Sequence, residues 1–179
     1  MLFRSIAIIG IIFAVVLAGI LIFAATKPDI FRVQRSTSIN APPEKIFPLI
    51  NEFDRWGTWS PYEKRDPAMK RSRSGPSSGK GAVYGWEGNS QIGTGRMEIM
   101  EALPPSKIVI KLDFFKPFEA HNIAEFTLEG KGDTTSVTWA MHGPANYISK
   151  LMGVFINMDS MIGTDFEAGL ANLKTVAEK

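Results

Sequence analysis

The sequence has no cysteine and only two histidines, His121 and His142. Disulfides, thiolate metal sites and cysteine nucleophiles are thereby excluded, and a histidine-rich metal centre has too few ligands. An excess of charge is also missing. Lys and Arg total 20 against 18 Asp and Glu, a net of +2, so the balance demands neither nucleic acid nor an acidic partner. Gly79-Lys80-Gly81 and Gly93-Thr94-Gly95 lack the strand–glycine–helix setting that cradles phosphate. There is no internal repeat. Neither a cofactor nor a metal is expected. What the chain has in quantity is apolar residues, 45% of 179, enough for one domain with a sizeable core.

Ile6 to Ala25 is an uninterrupted uncharged run. At ~1.5 Å rise per residue such a run covers the ~30 Å hydrocarbon core of a bilayer. We therefore expect residues 1–27 to be a single-pass membrane anchor and residues 28–179 to be the folded domain. A cleaved signal peptide is the competing reading. Its apolar region usually spans about 7–15 residues and ends in small residues, whereas here only Ala24 and Thr26 offer a poor cleavage match. A buried core helix is the third reading. Arg4 and the amino terminus stand against Lys27, partly offset by Asp29, which leans toward a domain outside the cytoplasm.

Ile30 to Ile39 alternates Phe31, Val33, Arg35, Thr37 and Ile39 against polar neighbours, the period of a strand. Asn40-Ala41-Pro42-Pro43 stops it, and a short helix is expected from Pro43 or Glu44 through Ile50, with a second over Asn51–Trp56. Trp56, Trp59 and Tyr62 then crowd seven residues. They read as a plug for one end of a sheet or as the lip of a pocket. Lys64 to Lys80 carries six basic residues and one acid. It is a solvated loop or a patch for anionic lipid head groups, too short for a nucleic-acid face. Strand patterns recur at Met69–Arg73, Ala82–Glu87, Gly95–Glu101, Lys107–Phe115, Phe118–Glu129 and Thr134–His142.

From Asn146 to Ala177, apolar residues return at i, i+3, i+4 and i+7, among them Leu151, Phe155, Met158, Ile162 and Phe166. This predicts one helix of ~30 residues and ~45 Å. Gly153, Gly163 and Gly169, with Met152, Met158 and Met161, suit an adjustable wall. The expected class is α+β: a curved antiparallel sheet of about six or seven strands around a long C-terminal helix, with two short helices after the first strand.

Several short motifs carry a resemblance. They include Trp56-x-x-Trp59-Ser60-Pro61, Tyr84-x-Trp86-Glu87-Gly88-Asn89, Thr135-x-Val137-x-Trp139-x-Met141-x-Gly143 and Met158-Asp159-x-x-Ile162-Gly163-x-Asp165-Phe166-Glu167. In this order they resemble the helix-grip fold of the START/SRPBCC superfamily, in its polyketide cyclase/dehydrase-like branch, from about residue 30 to the end. The resemblance implies an apolar ligand or lipid enclosed between sheet and helix, with enzymes a minority.

The expected wall of that pocket is Ile108, Ile110, Leu112, Phe126, Trp139 and Met141 from the sheet, Leu151, Phe155, Met158, Ile162 and Asp165 from the helix, and Trp59. Asp165 falls in the apolar stripe, so its charge needs a partner or a raised pKa. It reads as a structural tie, a ligand contact or a weak catalytic candidate, whereas Glu167 lies off the stripe and should be solvated. His121 and His142 have the strand parity of the outer face. Gly75-Pro76-Ser77-Ser78-Gly79 spells a nucleophile elbow but lacks the buried strand and following helix that an elbow needs. The leading expectation is a membrane-bound domain holding an apolar small molecule or lipid. A cyclase- or dehydratase-like enzyme using an acid in the same cavity is the alternative, and a pocketless scaffold protein is the third.

Overall fold

The structure, a computed structural model, describes residues 2–179, with side chains described from Ile8 onward. In chain order the elements are α1 (Leu2–Ala25), β1 (Ile30–Ile39), α2 (Pro43–Asn51), two 3-10 turns (Phe53–Thr58 and Pro61–Lys64), β2 (Lys70–Ser74), β3 (Val83–Glu87), β4 (Thr94–Leu103), β5 (Lys107–Lys116), β6 (Ala120–Lys131), β7 (Thr134–Pro144), α3 (Tyr147–Phe155) and α4 (Met158–Ala177). They divide into two compact units.

One unit comprises the chain up to Phe31 together with Pro144–Met158, so residues 144–158 group with the N-terminal helix. Ile8–Ala25 has a mean hydropathy of 3.1 and is 6% buried. It is long and apolar enough to cross a membrane, a property a signal sequence shares. Asn146 caps α3 by accepting a hydrogen bond from the Ser149 N–H at 2.8 Å.

The other unit, Arg32–Gly143 with Asp159–Lys179, holds the helix-grip fold. Its seven-stranded sheet runs in the order β1-β7-β6-β5-β4-β3-β2, and every pairing from β2 to β7 is antiparallel. Period-two alternation sends Ile108 and Ile110 of β5, Phe126 and Leu128 of β6, and Val137 and Trp139 of β7 into the core. Ile46 and Ile50 of α2 and Phe166, Leu170 and Leu173 of α4 are buried as well, and Trp139 stacks on Phe166.

The single helix expected over Asn146–Ala177 is in fact two. Ile156 turns extended (φ −117°, ψ 126°), and its N–H closes the last turn of α3 on Met152. Asn157, a residue type favoured at helix starts, stands just ahead of α4. Apolar spacing reports which side of a helix is wet, and it does not report continuity. No residue of α3 is buried, so no core contact enforces helical backbone through Ile156.

Two of the three helix glycines, Gly163 and Gly169, differ from expectation, because they are fitted rather than adjustable. A Cβ at Gly169 would lie 2.7 Å from Trp139 Cζ3 and 3.1 Å from Pro61 Cδ, and one at Gly163 would collide with the Arg35 guanidinium. Arg35 there bonds Glu167 at 2.6 Å and Asp159 at 3.0 Å. Glu167 is exposed, as expected, and also pairs with Arg35.

Candidate functional site

α2 ends with carbonyls that have no partner inside the helix. Two indoles take them. Trp56 Nε1 donates to the Ile50 carbonyl at 2.9 Å and Trp59 Nε1 to the Leu49 carbonyl at 2.8 Å. The pair thereby folds Phe53–Lys64 back against the sheet, where Trp59 is fully buried and meets Phe126 and Trp139 edge-on at 6.1 and 5.7 Å. Trp139 in turn stacks on Phe166 of α4 at 4.0 Å and 9°. This aromatic block fills one end of the grip.

Beyond it the sheet and helix leave a cavity of about 250 Å³. Same-face pairs two residues apart supply the sheet wall: Tyr84 and Trp86, Leu112 and Phe114, Trp139 and Met141, with Met97 and Ala124 between them. Gly95 lets the Trp86 ring lie against the sheet, since a Cβ there would overlap that ring. Ile162, Asp165 and Phe166 close the helix side, and Tyr62, Glu63 and Arg65 form a polar rim.

The rim acids are engaged. Asp165 is ion-paired with Arg65, whose guanidinium lies 5.1 Å from the Tyr62 ring centre. Glu63 accepts from Tyr84 Oη and from Arg71 Nε, the latter at 2.8 Å. Burial pushes the Tyr62 phenol up, and the Asp165 charge adds to the shift. Burial likewise raises Tyr84, helped by its hydrogen bond to Glu63. Both phenols are therefore protonated donors at neutral pH. Among the described residues no group of three or more His, Cys, Asp or Glu is placed to hold a metal ion.

Of the residues expected to form the pocket, Leu112, Trp139, Met141, Ile162 and Asp165 line the cavity. Trp59, Ile108, Ile110 and Phe126 are fully buried in the solid core instead and are not part of the cavity wall. The parity that turns them inward does not say where packing stops. Leu151, Phe155 and Met158 lie in the other unit, and Phe155 is 71% exposed. Tyr62, read with Trp56 and Trp59 as a plug or a pocket lip, lines the cavity; Glu63 and Arg65 escaped the sequence reading because they sit in an irregular segment with no period to read. Tyr84 and Trp86 had the right alternation, but nothing in the sequence marked which face was inner. His121 lies on the outer face, bonded to Asp113 at 2.7 Å. Gly75–Gly79 belongs to the turn between β2 and β3 with no helix following, so it is no nucleophile elbow.

The fold is shared with solved structures at low identity. Protein CV1439 from Chromobacterium violaceum has a TM-score of 0.59 and 14% identity, covering 86% of this chain and 99% of that one. DynU16, from the dynemicin biosynthetic locus, has a TM-score of 0.58 and 16% identity over 86% of this chain and 48% of its own. The di-domain ARO/CYC BexL from the BE-7585A biosynthetic pathway has 0.60 and 13%, over 88% and 53%. This chain spans about half the length of the last two. No curated protein sequence matches it. A family profile described as polyketide cyclase/dehydrase and lipid transport matches residues 31–178.

Proposed function

The chain belongs to the polyketide cyclase/dehydrase and lipid transport family, and on that premise we propose that its cavity takes up one apolar small molecule or lipid, while α1 holds the chain to a membrane. The observation that carries this reading is the cavity itself, walled largely by apolar side chains, Leu112, Met97, Phe114, Ala124, Met141 and Ile162 among them. An engineered cavity of ~150 Å³ holds benzene, so about 250 Å³ suits a bicyclic molecule or a short chain. Burying ~200 Å² of apolar ligand surface would contribute ~5 kcal/mol, a Kd of about 0.2 mM before ordering costs, so tighter binding needs polar contacts as well. The rim carboxylates Asp165 and Glu63 are spent on cations and phenols. That favours binding over acid–base chemistry by a free carboxylate.

The test is native mass spectrometry, with lipid extraction, of the full chain purified from its own membranes. One apolar species per chain, lost when Leu112→Trp fills the cavity, is the expected result. An empty protein that also refuses a panel of fatty acids and isoprenoids would sink the reading.

A further inference from the structure

Trp139 carries a buried donor that the fold does not use. The residue is 3% exposed and stands in the cavity wall. Among the described residues its indole Nε1 has no hydrogen-bond partner. The other three indoles all have one, Trp56 and Trp59 on the end of α2 and Trp86 on the Ile92 carbonyl at 3.3 Å. A buried donor left unpaired is costly and therefore rare. Its orientation is set from several sides. The Cε3–Cζ3 edge faces Gly169, and Phe166 and Phe126 stack on the ring at 4.0 and 5.0 Å. The nitrogen is on the opposite edge, turned away from Gly169.

We infer that the ligand of this cavity presents a neutral hydrogen-bond acceptor, a ketone, ester or quinone oxygen, to the Trp139 N–H. The inference rests on the ligand-binding reading above and names the class of ligand. A pure hydrocarbon would leave the N–H unpaired. A carboxylate would bury a charge, and Arg65, the cation in the wall, is already held by Asp165. A hydroxyl could accept the bond but would bring a second donor into a wall that is largely apolar.

Matched probes test it: 1-tetralone and its hydrocarbon counterpart tetralin, bound to the full chain in detergent micelles and referenced to empty micelles. The carbonyl stretch of bound 1-tetralone should fall below its value in hydrocarbon solvent for the wild type, and the lowering should vanish in Trp139→Phe. That variant should bind 1-tetralone about three- to tenfold more weakly and tetralin within about twofold of wild type. Unshifted carbonyl absorption in the wild type overturns the inference even if Trp139→Phe does not fold, and so does an equal loss for both ligands. In those cases the ligand-binding reading survives. Refusal of both probes by the wild type sinks the two together.

A different surface lies in the N-terminal unit. Ile148, Met152 and Phe155 of α3 are 69%, 42% and 71% exposed and share one side at i, i+4 and i+7. The polar groups of the same segment reach the C-terminal end of α1 instead. Tyr147 Oη donates to the Leu21 carbonyl at 3.0 Å, Lys27 Nζ to the Gly153 carbonyl at 2.7 Å, and Lys150 pairs with Asp29 at 2.5 Å. The geometry points to α3 as an interfacial helix, its apolar stripe inserted in the lipid leaflet at which α1 ends. The continuity with α1, apolar and 6% buried over Ile8–Ala25, identifies the occupant as bilayer.

Because the chain has no cysteine, single substitutions Ile148→Cys, Phe155→Cys and, as a water-exposed reference, Lys131→Cys can each carry a nitroxide in the liposome-reconstituted full chain. Labels at 148 and 155 should be relaxed more by oxygen than by a water-soluble nickel chelate, with the reverse at 131. Nickel access at 148 and 155 equal to that at 131 overturns the proposal. Shielding from both relaxants also overturns it, pointing to a protein partner, as does failure of the chain to enter liposomes.

Discussion

Gly169 faces the sheet at a distance that leaves no room for a methyl group. Gly169→Ala should gain ~1 kcal/mol of helix propensity but incur ~1–3 kcal/mol of overpacking against Trp139 and Pro61. A lowered chemical-denaturation midpoint is expected. Gly57→Ala, with nothing within 4 Å of its Cβ, should be neutral or slightly stabilising in the same assay. On the outer face, burial pushes Asp113 up, but hydrogen bonds from His121 and Lys111 prevail and hold it below its ordinary 3.8. The Asp113 bond, with help from Glu119, raises His121 above 6.5. A raised histidine stabilises fully below 6.5 and loses that contribution as pH climbs through its folded value. A lowered carboxylate stabilises above 3.8 and loses its contribution as pH falls through its folded value. The pair is thus strongest between those two ordinary values. From about pH 6 to about pH 8.5 the wild type should lose more stability than His121→Ala, and parallel curves would show the pair to be inert. The placement of His121 outside the cavity was legible from strand parity. The same parity puts Asp113 on the outer face, but its burial there was not legible, because it depends on residues such as Lys111 and His121 that bond to it.

α3 is a short helix with no buried residue, so its cap matters more than it would in the core. Asn146→Ala removes the bond to the Ser149 N–H, a loss of ~1 kcal/mol. Amide exchange within α3 should quicken about fivefold, while exchange in β5 and β6 stays unchanged. Equal protection in both proteins would mean that lipid or other contacts, rather than the cap, hold α3. The strands themselves were readable almost residue by residue, because side-chain alternation is local. The break at Ile156–Asn157 was not, since Leu151 and Phe155 continue the apolar spacing of α4 while belonging to a different compact unit.

For the whole molecule, α1 should remain on the chain. The protein recovered from membranes should have the intact mass of 19.7 kDa and resist alkaline carbonate extraction. A shorter chain in the soluble fraction would show that α1 is a signal sequence. With α1 retained, protease added to intact cells or spheroplasts is expected to reach the domain, which places it outside the cytoplasm; full protection would reverse that orientation. The sequence by itself determined what local chemistry can encode. The uncharged run of α1, the period-two strands, the helical stripe and the absence of cysteine together delimit a helix-grip domain behind an apolar helix. Only the tertiary structure decided where the core is solid and where it is hollow. Ile108, Ile110 and Phe126 share the inward parity of Leu112 and Met141, yet the first three are fully buried and the last two face a cavity. The difference comes from the aromatic block of Trp59, Trp139 and Phe166, which fills one end and stops short of the other. How far a block of side chains reaches is set by residues distant in the chain, and no periodicity records it.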